Sequence, residues 1–190
     1  MILCYVTDRA SLPAPQTDSL LAVIRRAVAA GVDWIQIREK DLSACELHRL
    51  LTEALALPNP SGTKFLVNSR LDVALAAGAA GGHLPSDSPR PGLWRGLAPP
   101  GFLIGVSCHT PGEVREAEQA GADYALFGPV FAPLSKTAGL PARGLENLNR
   151  AADAVRIPVL ALGGVSSENA RACCDAGAAG IAGITLFQTC

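Results

Sequence analysis

Three stretches of the chain repeat one phrase: AGVDWIQI at residues 30–37, AGADYALF at 120–127 and AGAAGIAG at 176–183. In each, an alanine closes a helical segment and a glycine takes the position after it, where a left-handed backbone costs least. One or two small or polar residues then lead into a short apolar run. A helix that empties directly into an apolar strand, repeated along the chain, is the mark of stacked β–α units. Extending the same reading outward gives strand candidates Ile2–Thr7, Val32–Arg38, Lys64–Asn68, Gly82–Leu84, Phe102–Ser107, Tyr124–Gly128, Pro158–Gly163 and Gly180–Leu186. Most lack polar alternation, as strands covered on both faces do. Helix candidates lie between them at Asp18–Ala30, Ala44–Leu57, Leu71–Ala77, Gly92–Leu97, Pro111–Ala120, Leu145–Val155 and Ser167–Ala176. Ser43 followed by Glu46 forms a capping-box pattern at the second of them.

Eight strands with parallel crossovers close naturally into a barrel, and no GxGxxG follows the first strand to argue for a dinucleotide-binding sheet. The sequence therefore predicts an α/β fold, a single (β/α)8 TIM-barrel domain over residues 1–190. After the eighth strand the sequence stops at Gln188-Thr189-Cys190, so the eighth helix is read as missing or truncated, with a second subunit of a homodimer as one way to cover that wall.

The composition agrees with one compact domain: 190 residues, 49% hydrophobic, and a net charge of −1 from 16 basic and 17 acidic residues. No basic patch stands out, which argues against nucleic acid and membrane surfaces as partners. No apolar run approaches the roughly 18 residues of a spanning helix, and MILCYVTDRA lacks the features of a signal peptide. The six cysteines (4, 45, 108, 173, 174 and 190) contain no C-x-x-C pair and read as reduced thiols of a cytoplasmic protein.

In such a barrel the reactive groups project from the C-terminal ends of the strands. After strand two, Gln36, Arg38 and Lys40 alternate onto one face, a set suited to phosphate or pyrophosphate; the plainer reading is a surface pairing with Glu39. After strand three, Asn68 either meets a ring heteroatom or, with Ser69, caps the next helix. His83, on strand four, reads as a hydrogen-bonded wall histidine, and Asp87 as a turn or cap residue, although it is also the candidate metal ligand. After strand five, Ser107 and His109 share a face, and His109 stands where an imidazole could move protons; its plainer role is hydrogen bonding at the helix entry. His48 lies mid-helix among polar neighbours. The loop after strand six is the longest, carrying Ser135 and Lys136, and reads as a lid that brings the lysine over an anion. Gly163-Gly164 after strand seven and Thr185 after strand eight occupy the recurrent phosphate address of these barrels. The residues thus imply a phosphate-bearing ligand, cationic groups on strand two and a proton-carrying histidine.

Eight segments, in order, carry a family resemblance: YVTDR (5–9), QIREKD (36–41), VNSRLDVAL (67–75), HLPSDSP (83–89), IGVSCHT (104–110), ADYALFGPVF (122–131), IPVLALGGV (157–165) and GIAGITLF (180–187). Together they resemble the thiamine-phosphate synthase and TenI superfamily of thiamine biosynthesis. Its synthase branch joins an aminopyrimidine pyrophosphate to a thiazole phosphate with magnesium. Its TenI branch includes a metal-free thiazole tautomerase. The resemblance assigns Gln36, Arg38 and Lys40 to pyrophosphate, Asn68 to the pyrimidine, Ser107 and Lys136 to further pyrophosphate contacts, and Gly164, Ile184 and Thr185 to the thiazole phosphate.

Departures set the branch. Ser69 stands where synthases place one magnesium-binding aspartate, Ser88 stands where they place the second, and Asp87 is one residue off. The usual threonine-rich strand-six loop reads Ala132-Pro133-Leu134-Ser135-Lys136. Pyrophosphate departure calls for concentrated positive charge that magnesium ordinarily supplies. The LPS run, the histidine after Ser107-Cys108 and the 139–144 stretch resemble the TenI branch, in which the residue matching His109 is the proposed acid–base group. The intact QIREK resembles the synthase. The expectation is accordingly a tautomerase needing no cofactor, binding a phosphorylated thiazole. The alternatives are a magnesium-dependent synthase and a non-catalytic binder of thiazole or thiamine phosphate.

Overall fold

The computed structural model describes residues 1–13, 16–132 and 141–188. Eight parallel strands form one closed barrel in sequence order: β1 (Ile2–Val6), β2 (Trp34–Ile37), β3 (Lys64–Asn68), β4 (Gly81–Leu84), β5 (Leu103–Cys108), β6 (Tyr124–Phe127), β7 (Val159–Leu162) and β8 (Gly180–Gly183). β8 returns to β1 with Cys4 opposite Ala182, which closes the wall. Around it, among the described residues, lie α1 (Gln16–Ala29), α2 (Ala44–Leu55), α3 (Leu71–Ala77), α4 (Pro111–Gln119), α5 (Gly144–Asp153), α6 (Ala170–Asp175) and α7 (Thr185–Gln188). No described helix is long and apolar enough to cross a membrane.

The strand alternation sorts the side chains into two cores. Inward-facing Cys4, Val6, Leu66, Tyr124, Leu126, Leu160 and Ala182 fill the lumen. Outward-facing Tyr5, Ile35, Ile37, Phe65 and Val67 pack on the apolar sides of α1 and α2, against Ile24 and Leu51. Glycine sets the lumen geometry at one position. A Cβ on Gly105 would stand 2.0 Å from Tyr124 Cζ, so the absent side chain is what admits the Tyr124 ring. That ring in turn lies 4.8 Å from Trp34.

Three expectations need correction. The fourth helix is not the α-helix read at Gly92–Leu97 but a single 3-10 turn, Pro91–Trp94. Pro91, Gly92 and Gly96 disfavour a longer helix. The segment is instead pinned by Arg95, whose guanidinium donates to the Phe102 and Gly121 carbonyls and to Asp123. Strand eight does not reach Leu186. It ends at Gly183, and Thr185–Gln188 turn into α7, so the barrel has a short helix after its last strand. Gln188 secures that helix, donating to the Tyr5 hydroxyl and the Asp8 carbonyl and accepting from Ser11 Oγ. The seventh helical segment begins at Ala170 rather than Ser167, because Asn169 folds back, accepting from Ser166 N and donating to the Gly164 carbonyl. The capping box is present as read: Ser43 Oγ accepts from Glu46 N, while the Glu46 carboxylate accepts from Ser43 N, an arrangement worth about 1 kcal/mol.

Candidate active site

The C-terminal ends of β2 to β5 bring four polar side chains into the barrel mouth. Gln36 is buried, and its Nε2 donates to Asn68 Oδ1 at 3.1 Å. Asn68 Nδ2 donates onward to Ser69 Oγ at 2.9 Å. Gln36 Oε1 has no partner among the described residues. A buried orphan acceptor is costly, so this atom suits a ligand's N–H or O–H donor. Asn68 is therefore part of an amide ladder and does not cap α3, whose N-cap residue is Arg70, with no side-chain cap bond.

Arg38 is half-buried at the mouth and Lys40 is exposed beside it, neither with an ion-pair partner among the described residues. Glu39 does not pair with them, contrary to the plainer reading of QIREK. Its buried carboxylate points to the β1 loop, accepting from Thr7 Oγ1 at 2.5 Å and from Arg9 N at 3.1 Å. Burial pushes the Glu39 carboxyl above the usual range despite those bonds. Glu39 thus serves as a brace between the ends of β1 and β2 and leaves Arg38 and Lys40 without it as an ion-pair partner.

His83 lies inside the wall as expected. Its Nδ1 stands 3.1 Å from Tyr124 Oη and its Nε2 stands 2.8 Å from Ser107 Oγ. Complete burial pushes its pKa down to about 3, so the ring is neutral.

His109 follows β5 and precedes α4. Its Nδ1 lies 2.6 Å from the Gly128 carbonyl, and its backbone N donates to Glu113 Oε2 at 2.6 Å. A carbonyl only accepts, so Nδ1 carries the proton in the neutral ring and Nε2 keeps its lone pair. Sequence reasoning missed Glu113, which holds the His109 backbone, and Gly128, which holds its ring. The signal for the first was present in Thr110-x-x-Glu113, because Thr110 caps α4 by accepting from Glu113 N. Adjacent Cys108 turns the other way, into the packing between the barrel and its outer helices, and burial pushes its thiol up to about 12. It is a core residue. His48 is exposed on α2.

Gly163 and Gly164 have left-handed backbones, with φ of 90° and 64°. Their lack of a side chain has a packing cause: a Cβ on Gly164 would stand 2.5 Å from the Ala132 carbonyl oxygen, and one on Gly163 would stand 2.5 Å from Pro129 Cβ. The β6 loop lies against this turn, with Phe131 N donating to the Gly163 carbonyl. Ile184 closes the end of the lumen core, and Thr185 is the exposed first residue of α7. Ser135 and Lys136 lie outside the described residues.

The carboxylates needed for a magnesium site do not assemble here. Ser69 has a left-handed backbone (φ 63°), its N donates to the His83 carbonyl, and its hydroxyl is engaged by Asn68. Asp72 is paired with Arg70 at 2.6 Å. Asp87 is exposed in the turn after β4. Among the described residues no three His, Cys, Asp or Glu side chains gather as a cation site. These residues do not fit a carboxylate-held magnesium ion.

A closed parallel barrel with cationic, amide and imidazole groups collected at the carboxyl ends of its strands has the architecture of a (β/α)8-barrel enzyme. The family model described as thiamine monophosphate synthase matches residues 3–187. The thiamine-phosphate synthase of Chlorobium luteolum is 40% identical over 184 residues, covering 97% of this chain and 84% of its own length. That of Methanocella arvoryzae is 43% identical over 182 residues, covering 95% and 84%. The solved thiamine phosphate pyrophosphorylase from Pyrococcus furiosus superposes with a TM-score of 0.85 at 32% identity, over 100% of this chain and 88% of that one. N-acetylmannosamine-6-phosphate 2-epimerase from Clostridium perfringens (TM-score 0.69, 17% identity, 98% and 87% covered) shares the fold alone. The chain belongs to the thiamine-phosphate synthase family, whose setting is thiamine biosynthesis. The relatives carry the synthase name and none of these carries that of the TenI branch, so the comparisons favour coupling over isomerisation.

Proposed function

We propose that, within this family, the chain acts on a phosphorylated thiazole and catalyses its tautomerisation. The observation that carries this reading is the poised imidazole of His109. With Nδ1–H committed to the Gly128 carbonyl at 2.6 Å, Nε2 is the basic nitrogen of the ring. In this reading Nε2 takes a proton from one ring carbon of the carboxythiazole phosphate. The bonding electrons delocalise through the heterocycle into its exocyclic double bond, and the same nitrogen returns the proton to the exocyclic carbon, leaving the aromatic ring. The Gly128 carbonyl supports the transient imidazolium through Nδ1–H. Arg38 and Lys40 supply positive charge toward an anionic substrate, and Gly163, Gly164, Ile184 and Thr185 form its phosphate end.

Coupling of an aminopyrimidine pyrophosphate to thiazole phosphate is the second reading, and the names of the relatives support it directly. Against it stand Ser69 and Ser88 at the positions where the coupling enzymes place carboxylates. Both reactions are to be assayed on the wild-type chain, with and without added magnesium. Metal-independent isomerisation is the expected result. Magnesium-dependent thiamine phosphate formation without isomerisation would replace the proposal with coupling. Tight thiazole phosphate binding without either product would replace it with a regulatory role.

A further inference from the structure

The hydrogen bonds of Tyr124, His83 and Ser107 have a direction that follows from which buried groups must find partners. The Tyr124 hydroxyl is wholly buried inside the barrel, and His83 Nδ1, at 3.1 Å, is its one hydrogen-bond partner among the described residues. Two arrangements fit that pair. If Nδ1 carried the proton and donated to the phenol, the phenolic hydrogen would be buried with no acceptor, at a cost of about 1–3 kcal/mol. If the phenol donates to Nδ1, every group is satisfied. The neutral ring then has its hydrogen on Nε2, which donates to Ser107 Oγ at 2.8 Å.

Ser107 is thereby fixed as an acceptor within the protein, and its own hydrogen is left to point elsewhere. Its side chain lies at the end of β5 and is half-exposed, whereas His83 and Tyr124 are sealed. We propose that Tyr124 and His83 are positioning residues that act through Ser107, engaging its oxygen so that its hydroxyl hydrogen is directed to an anionic oxygen of the ligand. Such a site favours acceptors: an oxyanion completes the chain of donors, while a ligand N–H or O–H finds one remaining lone pair and leaves the hydroxyl hydrogen without an acceptor. Gln36 Oε1 on β2, which has no partner among the described residues, only accepts, so the mouth offers one group directed to donate and one that accepts. Gly105 belongs to the same device, because the ring of Tyr124 reaches His83 only through the space that its missing side chain leaves. The inference deepens the reading of the mouth as an anion site but needs no particular reaction there.

The test has two parts. Nitrogen-15 NMR of the histidine-labelled wild-type chain is expected to show His83 with Nε2 protonated and Nδ1 bare; a ring protonated at Nδ1 would overturn the proposal. Metal-free inorganic pyrophosphate then serves as the binding probe for wild type, Ser107→Ala, Tyr124→Phe and the double variant. Each single variant is expected to weaken binding on the order of tenfold, and Tyr124→Phe is expected to add nothing once Ser107 is alanine. Equal, independent losses from the two changes would overturn the relay, as would a wild-type chain that binds no pyrophosphate. His83→Gln checks the direction separately, since its amide Nε2 can still donate to Ser107 and is expected to restore part of the binding lost in His83→Ala. Failure of the isomerisation assay would leave all four outcomes readable.

Discussion

Replacing Gly164 with alanine separates close packing from phosphate contact as the reason for the glycine pair. The backbone there has φ of 64°, and the new Cβ would meet the Ala132 carbonyl oxygen at 2.5 Å and Phe131 Cβ at 2.7 Å. The left-handed conformation costs alanine about 1–2 kcal/mol, offset by about 0.4–1 kcal/mol from the stiffer unfolded chain. Displacing a carbonyl and a side chain of the β6 loop adds about 1–3 kcal/mol, as overpacking does elsewhere. The expected net loss is about 2–4 kcal/mol. For a chain of this size that lowers Tm by roughly 5–15 °C. Gly78 provides the control, because its φ of 73° is similar and a Cβ there meets nothing within 4 Å. Its alanine variant is expected to lose only about 1 kcal/mol, the conformational part alone. Urea unfolding of the two variants beside wild type measures the difference. Equal losses at the two positions, or a Gly164→Ala chain as stable as wild type, would refute the packing argument and leave ligand contact as the reason for the glycine.

Three further outcomes follow from the same geometry. Because burial holds the folded His83 pKa near 3, its neutral form contributes stability above the unfolded value of about 6.5 that is lost as pH falls toward 3. Urea midpoints should therefore drop on acidification with up to about 1.4 kcal/mol per pH unit from this group, a slope that His83→Gln removes. Gly105→Ala should abolish stable folding or force out the Tyr124 ring, seen as loss of its near-ultraviolet signal, since its Cβ would stand 2.0 Å from Tyr124 Cζ. Ser43→Ala should cost about 1 kcal/mol in the same unfolding experiment, with no change in ligand binding, because the cap it forms on α2 faces solvent.

The barrel was legible because its strands are covered on both faces and therefore read as uninterrupted apolar runs between glycine-ended helices. The same property hid the end of β8. Ile184-Thr185-Leu186-Phe187 is apolar enough for a strand, and the helix is secured by contacts of Gln188 with Tyr5, Asp8 and Ser11, which local pattern does not register. The fourth helix was overread for the converse reason: an amphipathic pattern was present, but Pro91 and two glycines left only a 3-10 turn. At the mouth, alternation on β2 to β5 sufficed to bring Gln36, Asn68, His83 and Ser107 inward. What alternation does not carry is the partner of each group. Glu39 reaching Thr7, Gly128 holding His109 and Tyr124 holding His83 each join residues far apart in sequence, and each decides where a proton sits. The address of the glycine pair after β7 points to phosphate, and the approach of the β6 loop gives the pair a structural cause that the sequence does not display.

The proposed proton transfer rests on one nitrogen, Nε2 of His109. The direct measurement is metal-free conversion of the carboxythiazole phosphate to its aromatic tautomer by wild type and by His109→Asn, with substrate binding measured in parallel by calorimetry. The wild type is expected to turn over, and the asparagine variant to bind the thiazole phosphate with similar affinity but lose conversion by at least about a hundredfold, the usual worth of a positioned acid–base group. An asparagine variant that converts substrate at the wild-type rate would contradict the assignment.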